Sequence, residues 1–220
     1  MLRKFASAVK SLGRIGHFDP ATLADPEARR ADWTPLKRGG ANFGTHRLVD
    51  RHAGRLEFRP TVGARIFYSI FLLMGAGIPS VIIFSAIRAQ QAALTPAIIF
   101  PLFIGTVFVL VGGAMLYHGT APIVFDQRKG YFWKGRKAPD EVFDRSRIKH
   151  YAEIDEIRAL QLLSEYVSGS KSSYYSYEMN LVLKNGARIN VVDHGDPKRI
   201  RADAEKISQT LGIPVWDGVS

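Results

Sequence analysis

Residues 65–88, RIFYSIFLLMGAGIPSVIIFSAIR, hold twenty-two uncharged and mostly apolar residues between two arginines. A second apolar run of the same length, PAIIFPLFIGTVFVLVGGAMLY, follows at residues 96–117. Twenty-two helical residues rise about 33 Å, enough to cross a hydrocarbon layer of about 30 Å, whereas the buried helices of soluble domains are usually shorter. The two runs therefore predict a transmembrane hairpin within residues 63–118, with spans over 66–87 and 96–117.

The distribution of positive charge predicts how this hairpin is oriented. The chain has a formal net charge of +10, with thirteen Lys and Arg in residues 1–65 and sixteen in residues 126–220. The connection between the two spans contains only Arg88. Short basic flanks resist translocation, so we expect both termini in the cytoplasm. The absence of cysteine agrees with a cytoplasmic location for most of the chain.

The N-terminal residues 1–16 have the pattern of a basic amphipathic helix. Leu2, Phe5, Val9, Leu12 and Ile15 recur at helical spacing, with basic side chains mostly off that face. Such a helix can lie on an anionic membrane surface or pack its apolar face against protein, and the sequence leaves both open. For the first case, the predicted membrane-binding residues are Arg3, Lys4, Lys10, Arg14 and Arg65. Residues 17–53 are polar and rich in turn formers, which predicts a linker or a loop lying over another part of the protein.

The remaining chain predicts an α+β domain. Alternating polar and apolar residues predict a first strand at 54–62, directly before the hairpin, and residues 119–220 contain further strands. Asn185-Gly186 favours a tight turn between two of them, because both residues tolerate positive φ. Asp196 and Pro197 are a typical helix start, which predicts a C-terminal helix at about 197–211. The transmembrane hairpin is thus inserted near the first strand of an antiparallel β-domain that ends in a helix.

This order of elements resembles that of small, mostly uncharacterised bacterial inner-membrane proteins that pair two transmembrane helices with a pleckstrin-homology-like (PH-like) cytoplasmic domain. The segments that carry the resemblance are PIVF and GYFW at 122–133, IDEIRALQL at 154–162, LVLKNGARINVV at 181–192 and the helix from Pro197. The resemblance implies a bacterial inner-membrane location and a role in binding or scaffolding, without naming a ligand. The long basic N-terminal region is a departure from that minimal architecture.

A catalytic signature is not found in the sequence. Phosphate-binding and dinucleotide-binding glycine loops, zinc-protease histidine pairs and nucleophile elbows are missing, so we expect no cofactor and no metal. The one candidate cluster is Asp193, His194 and Asp196, where two carboxylates flank an imidazole. The same residues are explained by a turn in which Asp196 caps the following helix, and this second interpretation is favoured.

The two spans lack internal charges, which does not favour transport by this chain alone. Small residues could let helices approach closely, namely Ala76, Ser80, Gly105, Gly112 and Gly113. They could serve another membrane protein or the two spans themselves, and the second is favoured because a hairpin must first pack on itself. Nucleic-acid binding through Tyr131, Phe132 and Trp133 is not favoured, because these aromatics alternate in a predicted strand and belong partly to a core.

These observations lead to two hypotheses about function. The favoured one is a membrane-anchored, non-enzymatic interaction module, an accessory or scaffold subunit of an inner-membrane complex. Its expected partners are anionic lipid headgroups and a membrane protein or a second copy of the chain. The alternative is a membrane-bound enzyme that uses Asp193, His194 and Asp196.

Overall fold

A computed structural model describes residues 18–40, 44–52, 54–90, 95–144, 148–169 and 172–219. Within these residues the chain forms two compact units. The helical unit is Arg59–Pro122, and the β-unit combines the described residues up to Phe58 with those from Ile123 onward. The predicted helix at 1–16 lies outside the described residues. So do four of the five predicted membrane-binding residues, Arg3, Lys4, Lys10 and Arg14.

The helical unit consists of two long helices, α2 (Val62–Arg88) and α3 (Pro96–Gly119). The Thr61 hydroxyl accepts a hydrogen bond from the Ala64 amide and caps the start of α2. Both helices are long and apolar enough to cross a membrane, and only 11% and 17% of their most apolar windows are buried within the chain. A core helix of a soluble domain would be mostly buried, so this exposure separates the pair from that alternative.

The first sheet of the β-unit has five strands in the order β1 (His46–His52), β2 (Arg55–Pro60), β3 (Ile123–Asp126), β4 (Tyr131–Lys134) and β5 (Tyr151–Glu153). β2 and β3 are antiparallel neighbours, with Phe58 opposite Ile123, although both long helices lie between them in sequence. The hairpin is therefore inserted between two paired strands of one sheet.

The second sheet contains β6 (Ile157–Ser168), β7 (Ser173–Leu183), β8 (Arg188–His194) and β9 (Val215–Gly218), in the order β8-β7-β6-β9. The turn at Asn185-Gly186 joins β7 and β8, as the sequence predicts, but of the two residues only Gly186 has a positive φ, 84°. Helix α4 (Pro197–Leu211) follows β8 and ends at Gly212, whose φ of 70° is left-handed. β9 then returns to the sheet parallel to β6.

One apolar core joins both sheets and α4. Leu56, Phe58 and Phe132 come from the first sheet, Leu160 and Leu181 from the second, and α4 adds a stripe made of Ile200, Ala204 and Ile207. The four- and three-residue spacing of that stripe is the helical period that places one face against a sheet. The predicted α+β class, with antiparallel sheets and a C-terminal helix, is confirmed.

Within residues 17–53, predicted as a linker or an overlying loop, the structure adds a strand and a short helix, and the predicted first strand of 54–62 begins one residue later and ends two residues earlier. The strand before the hairpin is Arg55–Pro60, and it is preceded by β1, which is an edge strand. Edge strands are often charged and half-exposed, so the sequence HRLVDRH lacks the apolar alternation of a central strand. Within residues 18–40 a short helix, α1 (Pro26–Arg30), buries Ala28. This segment is packed against the second sheet.

Candidate functional site

Residues 18–40, called the strap from here on, cover the face of the second sheet that points away from the core. Ala28 of α1 is fully buried in a cluster with Ala159, Val182 and Trp216. The indole nitrogen of Trp33 donates a hydrogen bond to the Ala28 carbonyl at 2.8 Å. This bond joins two parts of the strap to each other. The apolar part of the strap thus forms a small second core.

Two carboxylates of the sheet hold the backbone of the strap. Glu178 accepts hydrogen bonds from the amides of Leu36 and Lys37, at 2.9 and 3.0 Å. Glu165 accepts from the amide of Gly39 at 3.1 Å and more weakly from that of Gly40 at 3.4 Å. Charge-assisted bonds of this kind are stronger than neutral ones. The strap is therefore recognised through its main chain at these four residues.

Arg188 makes a third attachment between sheet and strap. Its side chain is 7% exposed and donates to the Thr34 carbonyl at 2.8 Å and to the Asp32 carboxylate at 2.6 Å. Gln161 donates to the Asp32 carbonyl at 3.0 Å. Hydrogen bonds from Thr34 and the nearby guanidinium of Arg188 together hold the pKa of Asp32 below its usual value. Asp32 thus accepts as a carboxylate, which strengthens this attachment.

A charged cluster lies beside these attachments and includes one predicted site residue, Asp193. Its carboxylate accepts from the Asn190 amide at 2.9 Å and lies 3.4 Å from the Lys37 ammonium of the strap. Lys134 donates to the Asn190 oxygen at 3.1 Å. Burial lowers the pKa of Lys134 to about 8, even though Asp193 and Glu178 act in the opposite direction. Burial raises the pKa of Glu178, and the hydrogen bonds from the amides of Leu36 and Lys37 partly offset this increase.

The three predicted catalytic residues do not converge on a common point. Neighbouring residues of a strand point to opposite faces, so Asp193 and His194 are directed apart. The Nδ1 atom of His194 accepts from the Asp196 amide at 3.0 Å, and burial and Arg199 lower the pKa of His194. Asp196 accepts from the amides of Lys198 and Arg199, which is the capping role. Within the described ranges no group of three His, Cys, Asp or Glu side chains could hold a metal ion.

The predicted helix-packing residues divide into two groups. Gly105 and Gly112 lie at the contact between α2 and α3, where a Cβ on Gly105 would collide with Pro79 and one on Gly112 would lie 2.9 Å from the Leu72 nitrogen. Gly75, which the sequence analysis did not select, is the facing residue on α2. Outside the contact are Ala76, Ser80 and Gly113, and the Ser80 hydroxyl bonds within its own helix. The predicted surface residue Arg65 is exposed.

The sequence analysis offered a loop lying over another part of the protein as one alternative for residues 17–53, but it did not identify the residues that bind the strap. Ser176, Glu178 and Asn180 occupy alternate positions of β7 and read as a solvent-facing row, yet all three are buried. The available signal was a single tryptophan, Trp33, within a polar segment that otherwise has the composition of a linker. Only the distant segment that covers the row explains its burial, and local periodicity carries no information about it.

Comparison with protein-family models, curated proteins and solved structures finds no match for this chain.

Proposed function

We propose that this chain is a membrane-anchored, non-enzymatic interaction module of the bacterial inner membrane that acts as an accessory or scaffold subunit. The observation that carries the proposal is the outer surface of α2 and α3. Among the described residues, every exposed large apolar side chain except Leu36, Phe143 and Tyr175 belongs to these two helices. Contiguous apolar surface of this extent marks a membrane or protein contact. The β-unit is the cytoplasmic part that this anchor holds.

A PH-like identity for the β-unit is part of the same proposal. Its support is the order of elements: four antiparallel strands β2–β5, three strands β6–β8 and the helix α4. The edge strand β1, the parallel strand β9 and the strap are additions to that order.

The contacts of the candidate catalytic residues support binding over chemistry. Asp193 pairs with Lys37 and Asn190, and Asp196 caps α4. His194 accepts a main-chain hydrogen bond through Nδ1. Each group has an intramolecular role that stabilises the strap or the turn before α4. A general base, by contrast, must lie within hydrogen-bond reach of a reacting proton.

The test is purification of the tagged full-length chain from its native membrane in a mild detergent, followed by mass spectrometry. We expect a membrane protein at a fixed molar ratio to the chain. The His194→Ala variant is the matched control: it should retain that partner and any cellular phenotype. Purification without any stoichiometric partner, together with loss of the phenotype in a folded His194→Ala variant, would contradict the proposal and favour the enzyme.

A further inference from the structure

The register of the first sheet decides which strand ends lie together. Ile123 at the start of β3 is opposite both Phe58 of β2 and Lys134 at the end of β4. Trp133 is opposite Tyr151 at the start of β5. β1 and β2 are joined by only two residues, so the start of β1 lies beside the end of β2. Five strand ends therefore meet at one end of this sheet.

Basic residues from three separate segments gather at that end. The basic rim consists of four exposed side chains: Arg47 near the start of β1, Arg136 and Lys137 directly after β4, and Lys149 two residues before β5. Arg47, Lys137 and Lys149 form no ion pair with any residue that the structure describes. Within the described part of the β-unit, their positive charge is therefore not offset by a direct ion pair.

Two acidic residues that are close to the rim in sequence have partners outside it. In the segment between β4 and β5, Asp140 pairs with Lys129 of the β3–β4 turn at 2.6 Å. Glu141 accepts a hydrogen bond from the Ala138 amide at 3.2 Å. At the other end of the sheet, Arg55 pairs with Asp126 at 3.2 Å and Lys129 with Asp140, which leaves the exposed Arg128 as one cation there without an ion pair to a described residue, against three at the rim. The two ends of the sheet thus differ in uncompensated charge.

The rim end is also where the chain leaves the sheet for the two apolar helices. One residue, Thr61, separates β2 from α2, and residues 120–122 separate α3 from β3. An extended residue spans at most about 3.6 Å, so the two connections reach at most about 4 and about 11 Å, which is of the same order as the headgroup layer of one leaflet, roughly 5–8 Å.

We infer that the basic rim binds anionic phospholipid headgroups of the membrane that anchors the chain. The inference rests on the proposed anchoring function and adds a lipid preference to it. Its basis is charge complementarity: three unpaired cations assembled by folding, at the end of the sheet that continues into the hairpin. An anionic leaflet attracts such juxtamembrane cations, and the attraction weakens with ionic strength.

The test uses the full-length chain in liposomes that contain equal amounts of phosphatidylglycerol and phosphatidylcholine. After extraction in mild detergent, the ratio of the two lipids retained per chain is measured. The rim variant carries Arg47→Gln, Lys137→Gln and Lys149→Gln, and Arg136 stays because it has further contacts within the chain. The matched control carries Arg128→Gln, Lys184→Gln and Lys198→Gln, which remove the same charge from exposed positions elsewhere.

We expect the wild type and the control to retain phosphatidylglycerol preferentially. The rim variant should lose at least about fivefold of this preference, the effect of one basic residue at an anionic surface. Equal preference in the rim variant and the control would overturn the inference. So would a preference in the wild type that does not fall with added salt, a measurement that needs no variant.

Two further outcomes separate this inference from the anchoring proposal. If the chain stays in carbonate-washed membranes but its preference for phosphatidylglycerol does not depend on the rim residues, the anchoring proposal stands and the lipid site is refuted. Chains that are removed by carbonate refute the anchor and the inference with it. A rim variant that keeps its lipid and loses a stoichiometric protein partner would make the rim a protein-binding surface and overturn the inference.

Discussion

Glu178 fastens the strap to the second sheet, because its carboxylate accepts the amides of Leu36 and Lys37 together. The Glu178→Gln variant keeps the shape but loses the charge, and its amide nitrogen cannot accept a hydrogen bond. We expect the strap to be destabilised by about 1–3 kcal/mol, the cost of buried donors left unpaired. Amide hydrogen exchange at residues 36–37 should accelerate. Glu156→Gln, at an exposed position, is the control, and equal protection in both variants would contradict this role.

Lys134 predicts a specific pH dependence. Its pKa is about 8 in the folded protein against an ordinary 10.5. Between these values the unfolded chain holds a proton that the folded chain has released, so the free energy of unfolding should rise with pH by up to about 1.4 kcal/mol per unit. Lys134→Met should lack this rise. All three tryptophans lie outside the long helices, so urea unfolding followed by fluorescence reports on the β-unit. If the free energy of unfolding changed with pH in the same way in the wild type and in Lys134→Met, the prediction would be refuted.

At the scale of elements, the contact between α2 and α3 depends on glycines of unequal importance. A Cβ at Gly105 would collide with Pro79 and lie 2.6 Å from the Gly75 oxygen, whereas one at Gly113 meets nothing within 4 Å. We expect Gly105→Ala to destabilise the helix pair by about 1–3 kcal/mol through overpacking. Gly113→Ala should be neutral or slightly stabilising. Thermal denaturation in detergent compares the two variants directly. Equal melting temperatures for Gly105→Ala and Gly113→Ala would contradict this contact between α2 and α3.

Elements with a strong local signal could be predicted from the sequence, and elements defined by distant contacts could not. The two apolar runs, the Asn185-Gly186 turn and the Asp196-Pro197 helix start each carry their cause within a few residues. β1 and β9 are edge strands whose pairing partners decide their structure. The same applies to the candidate site: capping by Asp196 is local, but the pairing of Asp193 with Lys37 joins residues far apart in sequence.

For the whole molecule, the hairpin predicts that the α2–α3 connection and the β-unit lie on opposite sides of the membrane. The chain has no cysteine, so a single introduced cysteine is a unique label. Ala89→Cys should react with a membrane-impermeant maleimide in cells whose outer membrane has been permeabilised. Lys184→Cys should react only after the inner membrane is opened. Both positions are exposed, which makes the pair a matched control. If Lys184→Cys were labelled before the inner membrane is opened and Ala89→Cys only afterwards, the predicted topology would be wrong.

The pairing of β2 with β3 across the hairpin determines the order of events during synthesis. The ribosome releases β2 first, then both apolar helices, and only afterwards its partner β3. The two long helices are therefore synthesised between the two halves of one strand pair, and the core cannot close around Leu56 and Phe58 until translation has passed Ile123. A fragment that starts after the hairpin lacks β2 altogether. Folding of the complete β-unit thus has to wait for synthesis of both long helices.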